Sequence, residues 1–253
     1  MNPVVRPASA TREVALTYER PISKVAASGI HREHFVDQTG VIKARLRRAV
    51  NVALALVGLI VFAPVMLIIA LLIRLSSPGP IIYKQTRVGL DRRRGGTEVA
   101  EWRRRVNYCG KLFTIYKFRT MRADPESSLQ IWAQPNDSRV TPIGRILRRY
   151  RLDELPQLVN VLLGDMNIVG PRPEQPKIFM ELREQVPEYP RRQRVLPGIT
   201  GWAQINHHCD QSLEDVKKKV QYDLEYLANE SVLFDLRILL QTVPVMVFKK
   251  GSV

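Results

Sequence analysis

AVNVALALVGLIVFAPVMLIIALLI, residues 49–73, runs for 25 positions without a charged side chain. A helix needs about 20 apolar residues to cross a bilayer core, so this segment meets a membrane. Lys43, Arg45, Arg47 and Arg48 crowd its start, and Arg74, Lys84 and Arg87 follow its end. Basic flanks are retained on the cytoplasmic side, and a straight crossing cannot satisfy both of them. Pro64 lies near the middle, where it removes a backbone donor and clashes with the preceding turn. A helix that dips in, breaks and returns reconciles the two flanks; a Pro-kinked ordinary span is the alternative. The run begins too late and is too long for a secretory signal, and no cleaved leader is expected.

The whole chain has 253 residues, enough for one large domain or two small ones. Its 39 Lys plus Arg against 24 Asp plus Glu leave a net charge of +15, which implies polyanionic partners: nucleic acid, anionic lipid or phosphorylated metabolites. With 45% hydrophobic and 25% charged residues, the chain is neither collagenous nor wholly disordered. Two cysteines, Cys109 and Cys209, exclude a disulfide framework and a four-cysteine zinc site.

Outward from the apolar run, residues 1–42 are polar and lack an apolar period, reading as a tail. Ser76-Ser77-Pro78-Gly79-Pro80 breaks the helix and Ile81-Ile82-Tyr83 reads as a short strand. A basic, poorly patterned loop precedes Phe113–Phe118, whose alternation predicts a second strand; the pair suits a small hairpin. Thr141-Pro142 is an N-cap and first-turn pair, and Ile143, Ile146, Leu147 and Tyr150 follow at helical spacing.

On the other face of that helix Arg145, Arg148, Arg149 and Arg151 recur, and the stripe ends at adjacent carboxylates, Asp153 and Glu154. Neighbours on a helix point about 100° apart, so the two carboxylates can do different jobs, one attacking and one holding a metal, while Arg supplies charge for phosphate. An isolated run of this kind is ordinarily a solvated face with local ion pairs. Downstream, Arg172 stands between Pro171 and Pro173, which fix φ and present its guanidinium on a stiff loop. Pro197-Gly198-Ile199-Thr200-Gly201-Trp202 forms a second turn. Val232–Phe248 is apolar but interrupted by Asp235, Arg237 and Gln241, reading as an interfacial helix or a core helix. A membrane-anchored nucleic-acid binder would explain the charge, yet Asp153-Glu154 would repel a phosphate backbone in the middle of the basic stripe. A non-catalytic scaffold for polysaccharide assembly is the other rival.

Five segments in order, LALVGLIVFAPVMLIIALLI, SPGPIIYKQTRVG, FTIYKFRTM, DSRVTPIGRILRRYRLDELPQLVNVLLGDMNIVGPRPE and PGITGWAQIN, resemble the bacterial sugar transferases, the monotopic polyprenyl-phosphate phosphoglycosyl transferases, in their short form. The resemblance covers roughly Lys43 to Phe248. It implies transfer of a sugar 1-phosphate from a UDP-sugar to a polyprenyl phosphate at the cytoplasmic face of the bacterial inner membrane, starting polysaccharide assembly. By this resemblance Asp153 is the nucleophile that forms a phosphosugar-enzyme and releases UMP, and Glu154 holds Mg²⁺. Arg148 and Arg172 match the family's phosphate-contacting and nucleotide-side arginines, and Lys117 and Arg119 of KFRTM are further substrate-binding candidates. A carboxylate is a competent phosphorus nucleophile when a metal and arginines offset the charge of the diphosphate.

The fold expected is α+β, predominantly helical: a monotopic membrane protein with a Pro-broken re-entrant helix, a small β-hairpin and interfacial amphipathic helices. Its divisions are a tail (1–42), the re-entrant helix (43–80), a cytoplasmic catalytic domain (81–230) and a C-terminal interfacial helix (231–253). The partners implied are the UDP-sugar, polyprenyl phosphate and an anionic bilayer but no nucleic acid, with a homo-oligomer and polysaccharide assembly enzymes as candidate protein partners. Three features depart from the family. Ala63 stands before Pro64 where some members of the family carry Ser. The stretch Arg92 to Tyr108 is longer and more basic, a membrane or partner contact in which each Lys or Arg near anionic headgroups contributes about 1 kcal/mol. His207, His208 and Cys209 are adjacent zinc-ligand types that rarely converge on one metal, so a part in substrate specificity is expected of them.

Overall fold

Helix α1 extends without interruption from Gln38 to Ser76, and Pro64 lies inside it. The computed structural model describes residues 38–91, 110–122, 137–207 and 212–247. Most of the expected tail, the basic loop from Arg92 to Tyr108, Cys109, His208 and Cys209 lie outside the described residues. The expected helix–break–helix is thus a single helical element. A proline withdraws one amide donor and crowds one turn, and in a helix of 39 residues the turns on either side keep their own hydrogen bonds. Among the described residues α1 is the one helix long and apolar enough to cross a membrane.

The helix is not equally exposed along its length. Ala55, Ile69 and Ile73 are buried, whereas Ile60 through Val65 are exposed all the way round. Ala55 packs with Phe113, Ile115, Leu158, Val161 and Met166. Ile69 and Ile73 pack with Phe118 and Leu147. Both arms of α1 therefore lie against one body of protein, and the turns around Pro64 stand away from it.

The predicted hairpin is present. Strands β1 (Ile82–Val88) and β2 (Leu112–Phe118) pair antiparallel, Ile82 opposite Phe118 and Val88 opposite Leu112. Alternation places Phe113 and Ile115 in the core beside Ala55, and Phe118, out of that period at the strand end, is buried against Ile69 and Ile73, so β2 gives both arms of α1 their wall. Helix α2 (Pro142–Arg149) starts as its sequence predicts, with Thr141 Oγ1 accepting from the Gly144 amide at 3.0 Å. Its apolar face is narrower than the spacing implied: Leu147 is buried, but Ile146 and Tyr150 are exposed beside Arg145 and Arg149. The helix stops at Arg149, because Arg151 takes a left-handed conformation (φ 53°) and turns the chain into a 3₁₀ turn, Leu152–Glu154.

Helix α3 (Gln157–Leu163) follows, then a short strand β3 (Asn167–Val169) and helix α4 (Pro176–Gln185). A 3₁₀ segment, Tyr189–Arg194, leads to β4 (Gly198–Thr200), which pairs parallel with β3. At the end of this pair Gly198 is indispensable, since a Cβ there would collide with the Gly170 amide nitrogen. Short helix α5 (Trp202–Asn206) and the longer α6 (Leu213–Ala228) and α7 (Val232–Val247) complete the order. A third core joins β1, α4 and α6 through Val88, Phe179, Leu182, Val216 and Val220.

Polar links tie α1 to this body. Arg47 pairs with Asp235 at 2.7 Å and Glu230 at 2.8 Å, and also donates to the Tyr226 hydroxyl. That hydroxyl lies 3.1 Å from the Val169 carbonyl, immediately before Gly170. Asn51 Oδ1 accepts from the Ile168 amide at 2.6 Å. On α7, Ile238 is buried while Leu233, Leu236, Leu240 and Val243 form an exposed stripe at three- and four-residue spacing.

Candidate functional site

Four elements converge on the adjacent carboxylates. The 3₁₀ turn carries Asp153 and Glu154, both buried. Strand β2 contributes Lys117, whose Nζ lies 2.9 Å from Glu154 Oε1. The loop after β3 contributes Arg172, which grips the same carboxylate with two nitrogens, at 2.8 Å to Oε1 and 3.4 Å to Oε2. Helix α2 contributes Arg148, whose Nε donates to Thr120 Oγ1 at 2.9 Å and whose charge acts on Asp153. Lys117 and Arg172 bond Glu154 and not Asp153, and the local geometry is a 3₁₀ turn rather than the helix continuing from α2 that the reading of adjacent positions assumed.

The carboxylates are unequal. Burial pushes the Asp153 carboxyl above its ordinary value and the Glu154 charge adds to the rise, against Lys117, Arg172 and Arg148. Burial acts on Glu154 in the same direction, but Arg172 and Lys117 outweigh it and hold that carboxyl well below the usual range. Lys117 is itself lowered by burial, against the pull of Glu154. Glu154 is thus the anchored anion of the pair. Asp153 accepts no hydrogen bond from the described residues, and an ionised carboxylate so placed retains its lone pairs for an electrophile.

The stiffness of the Arg172 loop has a source beyond its prolines. Arg192 donates to the Arg172 carbonyl at 3.0 Å and Arg87 to the Pro173 carbonyl at 3.0 Å. Arg192 is paired with buried Asp223 at 2.7 Å, and Glu174 lies 3.7 Å from Arg87 and 3.4 Å from Lys219. Burial would raise Glu174, but Lys219, Arg87 and Arg192 hold it low. The sequence reading singled out none of Glu174, Arg192, Lys219 and Asp223. A signal existed on α6, where Lys219 and Asp223 occupy the same buried face as Val216, Val220 and Tyr226. Charges at core positions are costly unless paired.

Lys117, Arg172, Asp153 and Glu154 come together, with Arg148 in electrostatic reach. Arg119 does not join them: its guanidinium donates to the Pro78 and Ser77 carbonyls, both at 2.7 Å, and to Ser77 Oγ at 3.0 Å. It closes the C-terminal end of α1, where carbonyls lack helical partners. His207 follows α5, and His208 and Cys209 lie outside the described residues.

No group of three or more His, Cys, Asp or Glu side chains clusters as a metal site among the described residues. Mg²⁺, however, commonly takes one or two carboxylates and fills its remaining positions with substrate phosphate oxygens and water. Asp153 and Glu154 fit that pattern: Glu154 Oε1 has two cationic partners, whereas Oε2 has a single long contact. The cations exceed the carboxylates here, a balance suited to a diphosphate.

The family model described as bacterial sugar transferase matches residues 42–249. The chain is 42% identical over 200 residues to UDP-glucose:undecaprenyl-phosphate glucose-1-phosphate transferase of Escherichia coli (strain K12), covering 78% of this chain and 39% of that protein. It is 38% identical over 202 residues to UDP-N-acetylgalactosamine-undecaprenyl-phosphate N-acetylgalactosaminephosphotransferase of Aeromonas hydrophila, 80% of this chain and 44% of that one. It is 41% identical over 204 residues to exopolysaccharide production protein PSS of Rhizobium leguminosarum bv. phaseoli, 78% of this chain and 93% of that relative. The match thus spans about two-fifths of the length of the first two relatives.

Proposed function

The chain belongs to the bacterial sugar transferase family, and on that premise we propose that it transfers a sugar 1-phosphate from a UDP-sugar to a polyprenyl phosphate at a membrane surface. The observation that carries this reading is the inequality of the carboxylates: Asp153, buried and without a hydrogen-bond donor among the described residues, beside Glu154, which Lys117 and Arg172 already hold. Asp153 attacks the phosphorus that bears the sugar, and the bond from that phosphorus to the UMP phosphate breaks, UMP leaving with the electron pair. Lys117, Arg148 and Arg172 offset the charge of the diphosphate. An oxygen of the polyprenyl phosphate then attacks the same phosphorus, the bond to Asp153 breaks, and the carboxylate is regenerated. Each step exchanges one oxygen for another at phosphorus, so no proton donor is required. Glu154 is the residue that would hold Mg²⁺, which when bound would supply positive charge to the phosphate oxygens.

The test is to incubate membranes containing the protein with labelled UDP-glucose, UDP-galactose and their N-acetylated counterparts, each with undecaprenyl phosphate. One UDP-sugar should yield lipid-linked sugar with an equal amount of UMP. Chelation by EDTA should abolish the reaction and Mg²⁺ restore it. Release of UDP would overturn phosphosugar transfer, and turnover indifferent to EDTA would remove the metal from the site.

We further infer that α1 dips into the cytoplasmic leaflet of the inner membrane and returns. The exposure of Ile60–Val65 on every side, between arms packed on the same body, supports this seating, as do the basic flanks. The exposed stripe of α7 supports an interfacial position for that helix. With Cys109 and Cys209 replaced by Ser, single cysteines at Lys43 and Pro80 should both react with an impermeant thiol reagent from the cytoplasmic side alone. Labelling from opposite sides would establish a span. Pro64→Leu should favour a straight helix and move one label across.

A further inference from the structure

Beside the carboxylate turn is a cavity of about 120 Å³, walled by Leu155, Leu158, Ile199, Ile205 and Val245, with Glu154 and Arg151 at its edge. Its two threonines, Thr200 and Thr242, are hydrogen-bonded to each other at 2.9 Å, so their hydroxyls do not solicit a polar ligand. The remaining polar side chain in the wall, Gln204, donates to the Ile199 carbonyl at 2.9 Å. An apolar cavity of about 150 Å³ accepts a six-carbon hydrocarbon, so this one has the size for a short branched alkyl group.

Two of its walls adjoin the elements that the seating inferred above puts at the membrane, α1 and α7. Leu158 belongs to the cluster that seats Ala55 of α1. Val245 and Thr242 belong to α7, whose exposed stripe of Leu233, Leu236, Leu240 and Val243 is unpaired with protein among the described residues. Arg151, at the edge, makes no side-chain hydrogen bond or ion pair among the described residues. Its left-handed backbone is unusual for a residue with a side chain.

We propose that this cavity seats the phosphate-proximal isoprene unit of the polyprenyl phosphate, with Arg151 taking the phosphate. The proposal rests on the transfer reaction above and locates its second substrate. A methyl-branched five-carbon unit matches the volume and the walls, the chain beyond it continues toward the surfaces of α1 and α7, and the phosphate comes to rest beside Asp153. A uracil ring is the rival occupant by size. It would gain a partner in Gln204 Oε1, which lacks one, but the cavity offers no aromatic face for it to stack on.

Val245→Phe and Ile205→Phe, which fill the cavity from α7 and from α5, should each raise KM for undecaprenyl phosphate about tenfold while KM for the UDP-sugar moves less than about twofold. Arg151→Gln should show the same split, and Arg151→Lys should recover part of it. A rise in KM for the UDP-sugar instead would assign the cavity to the nucleotide base, and no change in either would remove it from substrate binding. A binding measurement guards against variants that misfold: geranyl phosphate carrying a terminal diazirine, irradiated with the unaltered protein, should attach to peptides containing 199–205 or 242–245. Attachment elsewhere overturns the proposal. Attachment at these peptides in a protein that transfers no sugar phosphate would sink the transferase reading while leaving an isoprenyl phosphate site.

Discussion

Asn at position 153 should lower formation of lipid-linked sugar by about three orders of magnitude or more, the scale on which loss of an attacking group is felt. The amide keeps the shape of the carboxylate but lacks its anionic oxygen, so nucleotide binding should survive. In the unaltered protein, UDP-sugar without acceptor should release UMP in an amount comparable to the enzyme and add the mass of a sugar phosphate to the chain. The kinetics should be ping-pong. Asp153→Asn should lose both the burst and the adduct. Intact-protein mass measurement decides the matter: lipid-linked product formed without any trapped adduct would make Asp153 a metal ligand and the lipid phosphate the direct attacker.

Arg172→Ala should reduce kcat/KM for the UDP-sugar by about a hundredfold, because it removes a two-nitrogen contact to a buried carboxylate and leaves Glu154 with Lys117 as its near cation. Charge-assisted hydrogen bonds contribute about 1.5–3 kcal/mol each, and 1.36 kcal/mol is tenfold in rate. Lys at this position should recover little of the loss, since an ammonium cannot span both oxygens of Glu154 and still face a phosphate. Lys177→Ala, an exposed change on α4, should leave activity near its original level. Near-full activity of Arg172→Lys would reduce Arg172 to a steering charge.

The parts of the structure legible in the sequence are those whose signals are local. Thr141-Pro142 specifies a helix start within four residues, and the alternation of Phe113–Phe118 specifies a strand with one buried face. The β3/β4 pair escaped because strands of three residues carry no measurable period and their partners lie far apart in the chain. Ile146 and Tyr150 share the helical spacing of buried Leu147, yet spacing does not set their exposure, which depends on what stands opposite in the folded protein. The site was legible as a set of residue types, and its inner order was not. Lys117 and Arg119 are two residues apart and strand alternation gives them the same face, so the pattern does not separate them. Lys117, still within β2, reaches Glu154, whereas Arg119, just past the strand end, turns to the carbonyls at the end of α1. The left-handed turn at Arg151 had no glycine to announce it.

The burial of Ala55, Ile69 and Ile73 in clusters shared with β2, α2 and α3 bears on how the protein is made. During synthesis α1 leaves the ribosome before any of its partners exist, and domains assemble in that order. Phe113, Ile115, Phe118 and Leu147 can complete their packing once a membrane-seated helix is waiting to receive them. Cutting the chain at Pro80 to obtain a water-soluble catalytic fragment would strip one wall from two cores at once. The two cores beside the carboxylate turn thus close only when α1 is in place, and the order of synthesis supplies that helix first.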